Sequence, residues 1–384
     1  MKVNYSIAAK LAGGGIGTTS YNAVFGIFRH GYLNRVFCTS YNRSKIGQLP
    51  NFPLFATHTS LVERFSFLSP SVKWQLKDSF HDLFTSFIAP KADIFHGWNG
   101  HCLRSLAGAK KSGAVTIVER ASSHPDTYEK LLQEEYSRWG IKINPIEPAV
   151  KHRLLKELAE ADYITTPSDF AYRSMIENGI PEKKLIRLSF GTETDKFKGL
   201  PAHLPAQAGA GQNSKFTALF VGQVGIRKGV PYLLEAWKNL NLKDADLYLL
   251  GEVESAAKKI IAPYRDVASI HFEGYKDPVP YFQKADVFVF PSIEEGSALV
   301  TFEALAAGVP LITTFNSGSV ITDGKEGFLV PIRDSAAIAD RLKELYLNET
   351  TSREMAVRAG ETGRRYTWQA YGDSLVQAYE KIVN

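Results

Sequence analysis

The sequence is poor in cysteine and contains no long hydrophobic run. Cys38 and Cys102 are its only cysteines, and neither belongs to a Cys-x-x-Cys pair or to a cluster of Cys and His, which argues against a disulfide framework or a zinc site. No stretch approaches the ~18 apolar residues of a membrane-spanning helix, and Lys10 falls where a signal peptide would need its apolar segment. We therefore expect a cytoplasmic protein, either soluble or bound at the inner face of a membrane.

Short apolar segments alternate with helical segments along the whole chain, which is typical of parallel sheets covered by helices. Strands are predicted at 2–8, 34–40, 93–98, 114–119, 162–167 and 184–190, and in a second series at 216–222, 246–251, 269–274, 286–292, 309–314 and 327–331. A length of 384 residues favours two such domains over one. The ligand is expected in the cleft between them, where parallel strands point their carboxyl ends.

Residues 199–214 are rich in Pro, Ala, Gly and Ser, which is typical of a linker between domains. We predict a first α/β domain over 1–190, a linker over 191–214 and a second α/β domain over 215–365. A C-terminal helix over 366–384 is expected to cross back and pack on the first domain.

Positive charge is concentrated in the first half of the chain. Residues 1–190 carry 24 Lys and Arg against 16 Asp and Glu, a balance of +8, whereas residues 191–384 carry 21 against 24, a balance of −3. This asymmetry fits a surface that faces anionic lipid headgroups or an acidic substrate. Ordinary solvated charge explains it equally well.

A glycine-rich loop follows the first predicted strand. Its glycines are Gly13, Gly14, Gly15 and Gly17. Glycines at the start of a helix let the backbone approach a phosphate group, and a structural turn alone would explain only two of the four. A dinucleotide site is disfavoured, because it needs an acidic residue about 20 positions further on, whereas the first acidic residue of the chain is Glu63.

A second loop of similar design follows the first strand of the second series. Gly222, Gly225 and Gly229 shape this loop, and the adjacent Arg227 and Lys228 place two cations close to a strand end. An Arg fork and a Lys point charge together suit a diphosphate. The alternative is a solvated turn.

Glu303 lies within the apolar sequence FEALAA, with no basic residue nearby in the sequence. A buried carboxylate needs a hydrogen-bonding partner. Glu295 precedes it by eight positions, which at helical rise is roughly 12 Å, about the span of a nucleotide sugar. We expect one carboxylate to bind sugar hydroxyls and the other to bind ribose, while N–H groups at the helix start face the diphosphate. A Glu that snorkels from a core helix is the alternative.

The segment EEGSALVTFEALAAGVPLI resembles the Glu-x7-Glu signature of the retaining glycosyltransferases of family 4. Residues 318–334, 162–197 and 367–382 are also similar to that family, so that the resemblance covers nearly the whole chain. It implies an α/β fold of two facing Rossmann-like domains, the GT-B architecture, with an acceptor-binding first domain and a nucleotide-sugar-binding second domain.

The resemblance implies transfer of a sugar from a nucleoside-diphosphate sugar with retention, without a cofactor or an essential metal. Arg227 and Lys228 would hold the diphosphate and stabilise the leaving group, Glu295 would position the donor sugar, and Glu303 would bind ribose. Further donor contacts are predicted at Gly15, Gly222, Gln223, Tyr275, Gly296, Ser297, Ala298, Leu299 and Val300. Gln223 is a departure, because the family commonly has Arg there.

On the acceptor side, His124 is predicted to line the sugar site and to act in catalysis, with a capping or surface His as the alternative. Arg120 and His96 are further acceptor-side candidates. The acceptor is expected to be a glycan, a lipid-linked saccharide or an acidic molecule in polysaccharide or glycolipid synthesis, and no nucleic-acid partner is expected. A nucleotide-sugar epimerase and a non-catalytic nucleotide-sugar-binding protein are the alternative functions.

One amphipathic segment, 70–88, stands apart from these loops. Its apolar residues fall on one helical face: Val72, Leu76, Phe80, Leu83, Phe84 and Phe87. Packing of this face in the core is favoured over its insertion into a membrane. Four residues lie off the stripe and are candidates for contact with a membrane surface: Lys73, Trp74, Lys77 and His81.

Overall fold

The computed structural model describes residues 1–57, 59, 62, 69–197 and 215–383. The predicted linker therefore lies outside the described residues from position 198 onward. The chain forms two compact units. Unit 1 consists of Met1–Pro125, Ile146–Phe190 and Trp368–Asn384, and unit 2 consists of Asp126–Pro145 and Gly191–Thr367.

The strands alternate with helices in both units. The strands are β1 Val3–Leu11, β2 Leu33–Tyr41, β3 Leu54–Ala56, β4 Ile94–Trp98, β5 Val115–Glu119, β6 Tyr163–Thr166, β7 Leu185–Arg187, β8 Phe216–Val221, β9 Ala245–Leu250, β10 Ile270–Gly274, β11 Val287–Phe290, β12 Leu311–Thr314 and β13 Gly327–Val330. The helices are α1 Ile16–Arg29, α2 Arg43–Ile46, α3 Pro70–Ile88, α4 Leu103–Lys111, α5 Pro125–Arg138, α6 Pro148–Glu160, α7 Asp169–Glu177, α8 Val230–Leu240, α9 Lys258–Ile261, α10 Val279–Phe282, α11 Leu299–Ala306, α12 Ser335–Leu347, α13 Glu349–Gly363 and α14 Trp368–Val383.

Among the described residues, unit 1 contains a seven-stranded parallel sheet in the order β3-β2-β1-β4-β5-β6-β7. Its central strands are apolar because both faces of a parallel sheet are covered. All five residues of β4 are buried, for example. Each of the six strands predicted in this half is present, whereas the three-residue edge strand β3 was not predicted.

The C-terminal helix α14 packs on α1 within unit 1. The two helices meet at Gly26 and Gly372, where a Cβ added to Gly26 would lie 2.6 Å from the Cα of Gly372. This contact requires two glycines, because side chains would separate the helix backbones. The Tyr371 hydroxyl on α14 also donates a hydrogen bond to the Glu119 carboxylate at the end of β5, at 3.1 Å.

Unit 2 contains a six-stranded parallel sheet in its described part, in the order β10-β9-β8-β11-β12-β13. Its core includes the buried aromatic rings of Phe220, Phe288 and Phe290. Phe220 and Phe290 stack with their ring centroids 5.6 Å apart. All six strands predicted in the second half are present, and their carboxyl ends share one edge of the sheet.

The segment 126–145 belongs to unit 2, although the sequence places it inside the first domain at 1–190. Its side chains Leu132 and Tyr136 lie in the hydrophobic core of unit 2. Arg333 fixes the segment further, because its Nε donates to the buried carboxylate of Glu135 at 2.6 Å. This excursion depends on contacts far apart in the sequence, which local patterns do not reveal.

Candidate functional site

The candidate site of unit 2 begins where β8 ends at Val221, and a loop over 222–229 leads from there to α8. Gly229 closes this loop with φ 69°, and a Cβ at this position would lie 2.0 Å from the carbonyl oxygen of Pro291. Any other residue would therefore force the loop away from the end of β11. The glycine keeps Arg227 and Lys228 close to the loop that carries Glu295.

Two cations and two carboxylates form a charged cluster at this edge, consisting of Arg227, Lys228, Glu294 and Glu295. The Lys228 ammonium donates to Glu295 Oε1. Arg227 Nη1 lies 2.8 Å from the same oxygen and 3.6 Å from Glu294 Oε2. It also donates to the carbonyl oxygen of Glu294 at 3.1 Å. The basic loop and Glu295 therefore meet within unit 2, and their predicted contacts with a donor remain predictions.

Burial and charge act in opposite directions on the two cations. Burial lowers the pKa of Lys228, and although Glu295 works against this effect, the pKa stays below its ordinary value. Burial also acts to lower the pKa of Arg227, but Glu295 and Glu294 outweigh it and raise that pKa. The Lys228 ammonium also lies 5.3 Å from the centroid of the Phe290 ring, so that an apolar ring forms part of its surroundings. The lysine is thus a partly desolvated cation whose charge depends on an anionic neighbour.

Glu295 lies in the loop before α11 and not on the helix itself, since α11 begins at Leu299. The helical rise therefore does not apply to the whole interval between Glu295 and Glu303, and the expected span of roughly 12 Å stays a prediction. Backbone contacts hold the loop: the N–H of Glu295 donates to the carbonyl oxygen of Asn316 at 3.0 Å. The Asn316 amide in turn donates to the carbonyl oxygen of Ile293 at 2.8 Å. Asn316 belongs to no sequence motif, so that its part in this loop could not be predicted.

The start of α11 lies next to this loop. Its N-cap is Ala298, whose side chain cannot accept a hydrogen bond from the first helical N–H groups. The N–H of Ala298 donates to the carbonyl oxygen of Ser317 at 3.0 Å, and the Ser297 hydroxyl donates to that of Gly318 at 3.3 Å. The segment 296–300 is thus held by its surroundings, and its predicted contacts with a donor remain predictions.

A pocket of about 900 Å³ opens at the carboxyl ends of β8, β9 and β10. Four of the residues predicted to bind the donor line it: Gly222, Gln223, Tyr275 and Glu303. Its remaining walls are formed by Lys196, Phe197, Val221, Leu250, Gly251, Glu252, Lys276, Asp277, Pro278 and Val279. Pockets for small organic ligands are commonly ~300–1,000 Å³ in volume, so that this one is large enough for a nucleotide.

Glu303 reaches this pocket from α11. Burial raises the pKa of its carboxyl to about 7, Lys196 acts to lower it, and Glu193 and Asp277 act to raise it. Lys196 itself lies 2.9 Å from the Glu193 carboxylate. The sequence suggested no base near Glu303, and this was wrong: Lys196 lies more than 100 positions earlier and is brought to the same pocket by the fold.

His96 does not form part of an acceptor surface in unit 1. It is fully buried, its Nδ1 shares a hydrogen bond with the Tyr379 hydroxyl, and its Nε2 lies 3.5 Å from Glu119 Oε2. Burial lowers its pKa to about 3, so that the ring is neutral. The prediction that His96 faces a ligand is therefore wrong, because the C-terminal helix α14 covers it.

His124 and Arg120 follow β5 and are also largely buried. The N–H of His124 donates to the Ser174 hydroxyl at 2.9 Å, immediately before α5 begins. Arg120 Nε donates to the carbonyl oxygen of Ser123 at 2.9 Å, and its Nη1 donates to Asn99 at 3.3 Å. These contacts hold the loop through the backbone N–H of His124 and the side chain of Arg120. The predicted acceptor roles of both residues remain predictions.

In the first glycine-rich loop, which belongs to unit 1, more of the glycines have a structural explanation than the sequence suggested. Gly15 is the N-cap of α1 with φ 58°. A Cβ at Gly17 would lie 2.2 Å from the carbonyl oxygen of Lys10, and one at Gly13 would lie 2.9 Å from it. Three of the four glycines are therefore explained by backbone conformation or close packing. The predicted donor contact of Gly15 remains a prediction.

Among the described residues, no group of three or more His, Cys, Asp or Glu side chains is arranged to hold a metal ion. None of the helices in the described ranges combines the length and the hydropathy needed to cross a bilayer.

The two Rossmann-like units define a protein of the GT-B class, as predicted, and solved structures of the same fold confirm this. Sucrose-phosphate synthase from Thermosynechococcus elongatus matches with a TM-score of 0.71 and 17% identity, over 100% of this chain and 99% of that one. HepE from Anabaena, in complex with UDP and glucose, matches with a TM-score of 0.67 and 12% identity, over 99% and 100%. At such identities the likeness shows the fold alone.

The match to a protein-family model lies in unit 2. The family model of the Glycosyl transferases group 1 matches residues 215–348. The matched segment includes the charged cluster and Glu303. The capsular polysaccharide biosynthesis glycosyltransferase CapM of Staphylococcus aureus is 26% identical over 227 residues, which is 56% of this chain and 59% of CapM. The phosphatidyl-myo-inositol mannosyltransferase of Mycobacterium leprae is 30% identical over 177 residues, 43% and 46% of the two chains. The chain thus spans about half the length of these relatives, and its similarity to the group 1 family is shown for residues 215–348.

Proposed function

We propose that this protein is a retaining glycosyltransferase that moves a sugar from a nucleoside-diphosphate sugar to an acceptor hydroxyl. The observation that carries this proposal is that the charged cluster of unit 2 and a nucleotide-sized pocket that contains Glu303 lie at the same edge of one sheet. The similarity of residues 215–348 to group 1 glycosyltransferases supports it. We further propose that the reaction needs neither a cofactor nor a metal ion, because Arg227 and Lys228 supply the positive charge that a diphosphate needs.

The donor would lie with its nucleoside in the pocket and its diphosphate on the cations. Glu303, at the pocket wall, would accept hydrogen bonds from the ribose hydroxyls. Arg227 and Lys228 would exchange part of their interaction with Glu295 for the diphosphate oxygens, which releases Glu295 to accept hydrogen bonds from the donor sugar. The partial positive charge at the start of α11 would add to the attraction for the diphosphate.

In the chemical step the bond between the anomeric carbon and the diphosphate oxygen breaks, and the acceptor oxygen bonds to that carbon. Negative charge develops on the leaving oxygen, and Arg227 and Lys228 would stabilise it as fixed donors in a partly desolvated site. Because retention places the acceptor on the same face as the leaving group, the leaving phosphate oxygen is the nearest base for the proton of the acceptor hydroxyl.

For the acceptor we propose a glycan, a lipid-linked saccharide or an acidic molecule, bound by unit 1. One relative is named for capsular polysaccharide biosynthesis and another is named as a phosphatidyl-myo-inositol mannosyltransferase, which supports this proposal. His124 and Arg120 remain the proposed acceptor-side residues, with His124 also proposed to act in catalysis. We propose a cytoplasmic location at the inner face of the membrane, in keeping with the basic first half of the chain.

The test is incubation of the full chain with a panel of UDP-, GDP-, ADP- and dTDP-sugars. Release of nucleoside diphosphate, by hydrolysis or by transfer to an added acceptor, supports the transferase, and proton NMR of the first-formed product shows whether the anomeric configuration is retained. The Lys228→Ala variant should lose the release, whereas Glu177→Gln, a change of an exposed helical glutamate in unit 1, should not. Conversion of the donor sugar without release of diphosphate would instead show an epimerase, and binding without turnover would show a binding protein.

A further inference from the structure

The carboxylate of Glu254 joins two loops and a helix within unit 2. Glu254 lies after β9 and directly precedes a 3-10 helix over Ser255–Ala257, which its side chain does not cap. Its Oε2 accepts the backbone N–H of Ile226 at 2.9 Å, and its Oε1 accepts the hydroxyl of Tyr136 on α5. Both oxygens therefore serve distant parts of the chain, although Glu254 does not line the pocket that contains Glu303.

The basic loop, residues 222–229, runs alongside the loop that carries Glu254. Backbone hydrogen bonds of 2.8–3.0 Å join 222–224 to 250–254. The Ile226 N–H follows these groups in the chain, and it donates to the side chain of Glu254 and not to a backbone oxygen. Because Ile226 is fully buried, its N–H needs a partner within the protein, and a carboxylate is a strong one.

Gly225 leaves room for this carboxylate. A Cβ at position 225 would lie 2.3 Å from Glu254 Oε2 and 3.0 Å from Glu254 Cβ. The φ angle of Gly225 is not positive, so that its backbone conformation does not call for glycine. A side chain here would push the carboxylate away from the Ile226 N–H. The glycine is therefore explained by the place that Glu254 occupies.

Tyr136 holds the carboxylate from its other side. Its ring is buried in the core of unit 2. Burial raises the pKa of Tyr136, and the hydrogen bond to Glu254 raises it further, so that the hydroxyl keeps its proton and acts as the donor. The neighbouring Glu135 fixes the same helix to α8, because its carboxylate accepts the Tyr232 hydroxyl at 2.8 Å. The helix α5 thus presents a fixed donor to Glu254.

The basic loop is also attached to the loop that carries Glu295. The carbonyl oxygen of Arg227 accepts the N–H of Ile293 at 2.9 Å and the hydroxyl of Ser292 at 3.2 Å. The backbone from Ile226 to Arg227 is thus held on two sides, by Glu254 and by residues 292–293. The two cations of the charged cluster follow directly on the first of these attachments, so that a displacement of the Ile226 peptide would move both charges.

We propose that Glu254 is a positioning residue for the charged cluster. It fixes the Ile226 peptide, and through it the places of Arg227 and Lys228, without touching a ligand itself. Donors that are held in place before the reaction stabilise developing charge without having to rearrange. Tyr136 supports this role because it orients the carboxylate. The inference rests on the proposed function in one respect, that the two cations bind the diphosphate.

The experiment compares Glu254→Ala with Glu254→Gln in the full chain, using the UDP-, GDP-, ADP- and dTDP-sugars of the donor panel. Gln accepts the Ile226 N–H through its oxygen and donates through its amide to the Tyr136 hydroxyl, which preserves the geometry without the charge. With the sugar that is turned over fastest, Glu254→Ala should lower kcat by about tenfold or more, and KM should change by less than about threefold. Glu254→Gln should keep about half of kcat or more.

The matched control for these variants is Glu361→Ala, which removes an exposed glutamate of α13 in the same unit. It should release nucleoside diphosphate as the unmodified protein does. Equal losses of kcat in Glu254→Gln and Glu254→Ala would overturn the proposal, because a role in positioning depends on the hydrogen bonds and not on the charge.

Gly225→Ala tests the same contact from the opposite side. The added Cβ should displace the carboxylate while Glu254 is still present, so that kcat should fall about as far as in Glu254→Ala. The double variant Gly225→Ala/Glu254→Ala has no carboxylate to displace, and its loss should not exceed that of Glu254→Ala alone. Losses that multiply in the double variant would refute the positioning contact.

Hydrogen exchange gives a readout that does not depend on catalysis. In Glu254→Ala the amides of 222–229 should exchange about tenfold faster or more, while those of β8 stay unchanged. Tyr136→Phe should change exchange in the same direction but less. Its control Tyr346→Phe removes a hydroxyl that is hydrogen-bonded elsewhere in unit 2 and should leave 222–229 unaffected.

The exchange data also separate this inference from the proposed function. Unchanged exchange over 222–229 in Glu254→Ala, or equal acceleration throughout unit 2, would overturn the positioning role. If the unmodified protein releases no nucleoside diphosphate from any sugar of the panel, the proposed function fails, and faster exchange confined to 222–229 would still support the role of Glu254 in holding this loop.

Discussion

Replacement of Glu303 by Gln should raise the free energy of unfolding and weaken nucleotide binding at the same time. Gln has nearly the same size but no charge, so that the change removes the buried negative charge from the pocket and leaves the packing of α11 in place. Burial raises the pKa of Glu303 to about 7 from an ordinary value of 4.5. The folded protein therefore holds this proton more tightly than the unfolded chain does.

The sign of the pH dependence follows from this difference. Below pH ~4.5 the carboxyl is protonated in both states and has no effect, whereas above pH ~7 it is ionised in both and destabilises the fold. A shift of about 2.5 pKa units corresponds to about 3 kcal/mol at pH 8, and to under about 1 kcal/mol at pH 5. Glu303→Gln should therefore gain up to about 3 kcal/mol in the free energy of unfolding at pH 8, and much less at pH 5.

The binding effect should have the opposite sign. A hydrogen bond to a charged group contributes ~1.5–3 kcal/mol, so that loss of the carboxylate from the ribose site should weaken binding of a nucleoside diphosphate by about tenfold or more at pH 8. Below pH ~7 the affinity of the unmodified protein should fall toward that of the variant, because its own Glu303 becomes protonated.

Two measurements check this reasoning on the same samples. Urea unfolding at pH 5 and pH 8 gives the stability difference, and calorimetric titration with UDP, GDP and ADP gives the affinities. The ratio of the affinities of the two proteins cancels the titration of the ligand itself, and Glu177→Gln serves as a control at an exposed position. An equal stability gain at both pH values would refute the assigned pKa shift, and unchanged diphosphate affinity at pH 8 would refute the ribose assignment.

Three further changes test the packing and the charge of the two units. Lys228→Ala should lower kcat by about 10²–10³ with a smaller effect on diphosphate affinity, because a leaving-group contact acts mainly in the transition state. Equal losses in kcat and in diphosphate affinity would contradict this role. Gly229→Ala should destabilise unit 2 in urea unfolding by more than about 2 kcal/mol, because the added Cβ would clash with Pro291. The control Gly274→Ala, at φ 66° with open space around its Cβ, should cost only about 1 kcal/mol. Similar losses for the two variants would contradict the close approach of Gly229 to Pro291. Gly372→Ala should loosen α14, seen as faster hydrogen exchange over 368–383, while exchange in unit 2 stays unchanged.

Much of the local structure follows from the sequence because its causes are local. The twelve predicted strands are runs of apolar residues with turn residues at their ends, and every one of them is a strand in the structure. The loop that carries Arg227 and Lys228 and the loop that carries Glu295 each follow a strand of the same parallel sheet. Since the carboxyl ends of parallel strands share one edge, their meeting in the charged cluster could be predicted. The similarity to group 1 glycosyltransferases lies over the same segment.

The partners of buried groups could not be predicted in this way. Lys196 reaches the pocket of Glu303 from a different part of the chain, and His96 is covered by the C-terminal helix that supplies Tyr379. Both relations join residues more than 100 positions apart, and neither leaves a mark in the pattern of either segment. The excursion of 126–145 into the core of unit 2 is a third case, since it rests on contacts such as that of Arg333 with Glu135.

The helix α3 separates the two kinds of information most clearly. The sequence determined that Val72, Leu76, Phe80 and Phe87 share one face, because helical periodicity is a property of the segment alone. This face lies at the surface and not in the core as predicted, and that orientation was decided only by the tertiary structure, where Asp82 meets Arg153 and the backbone of α4. Periodicity places residues relative to each other, but burial depends on the free energy of contacts with the rest of the fold, and here the buried polar contacts determine the orientation.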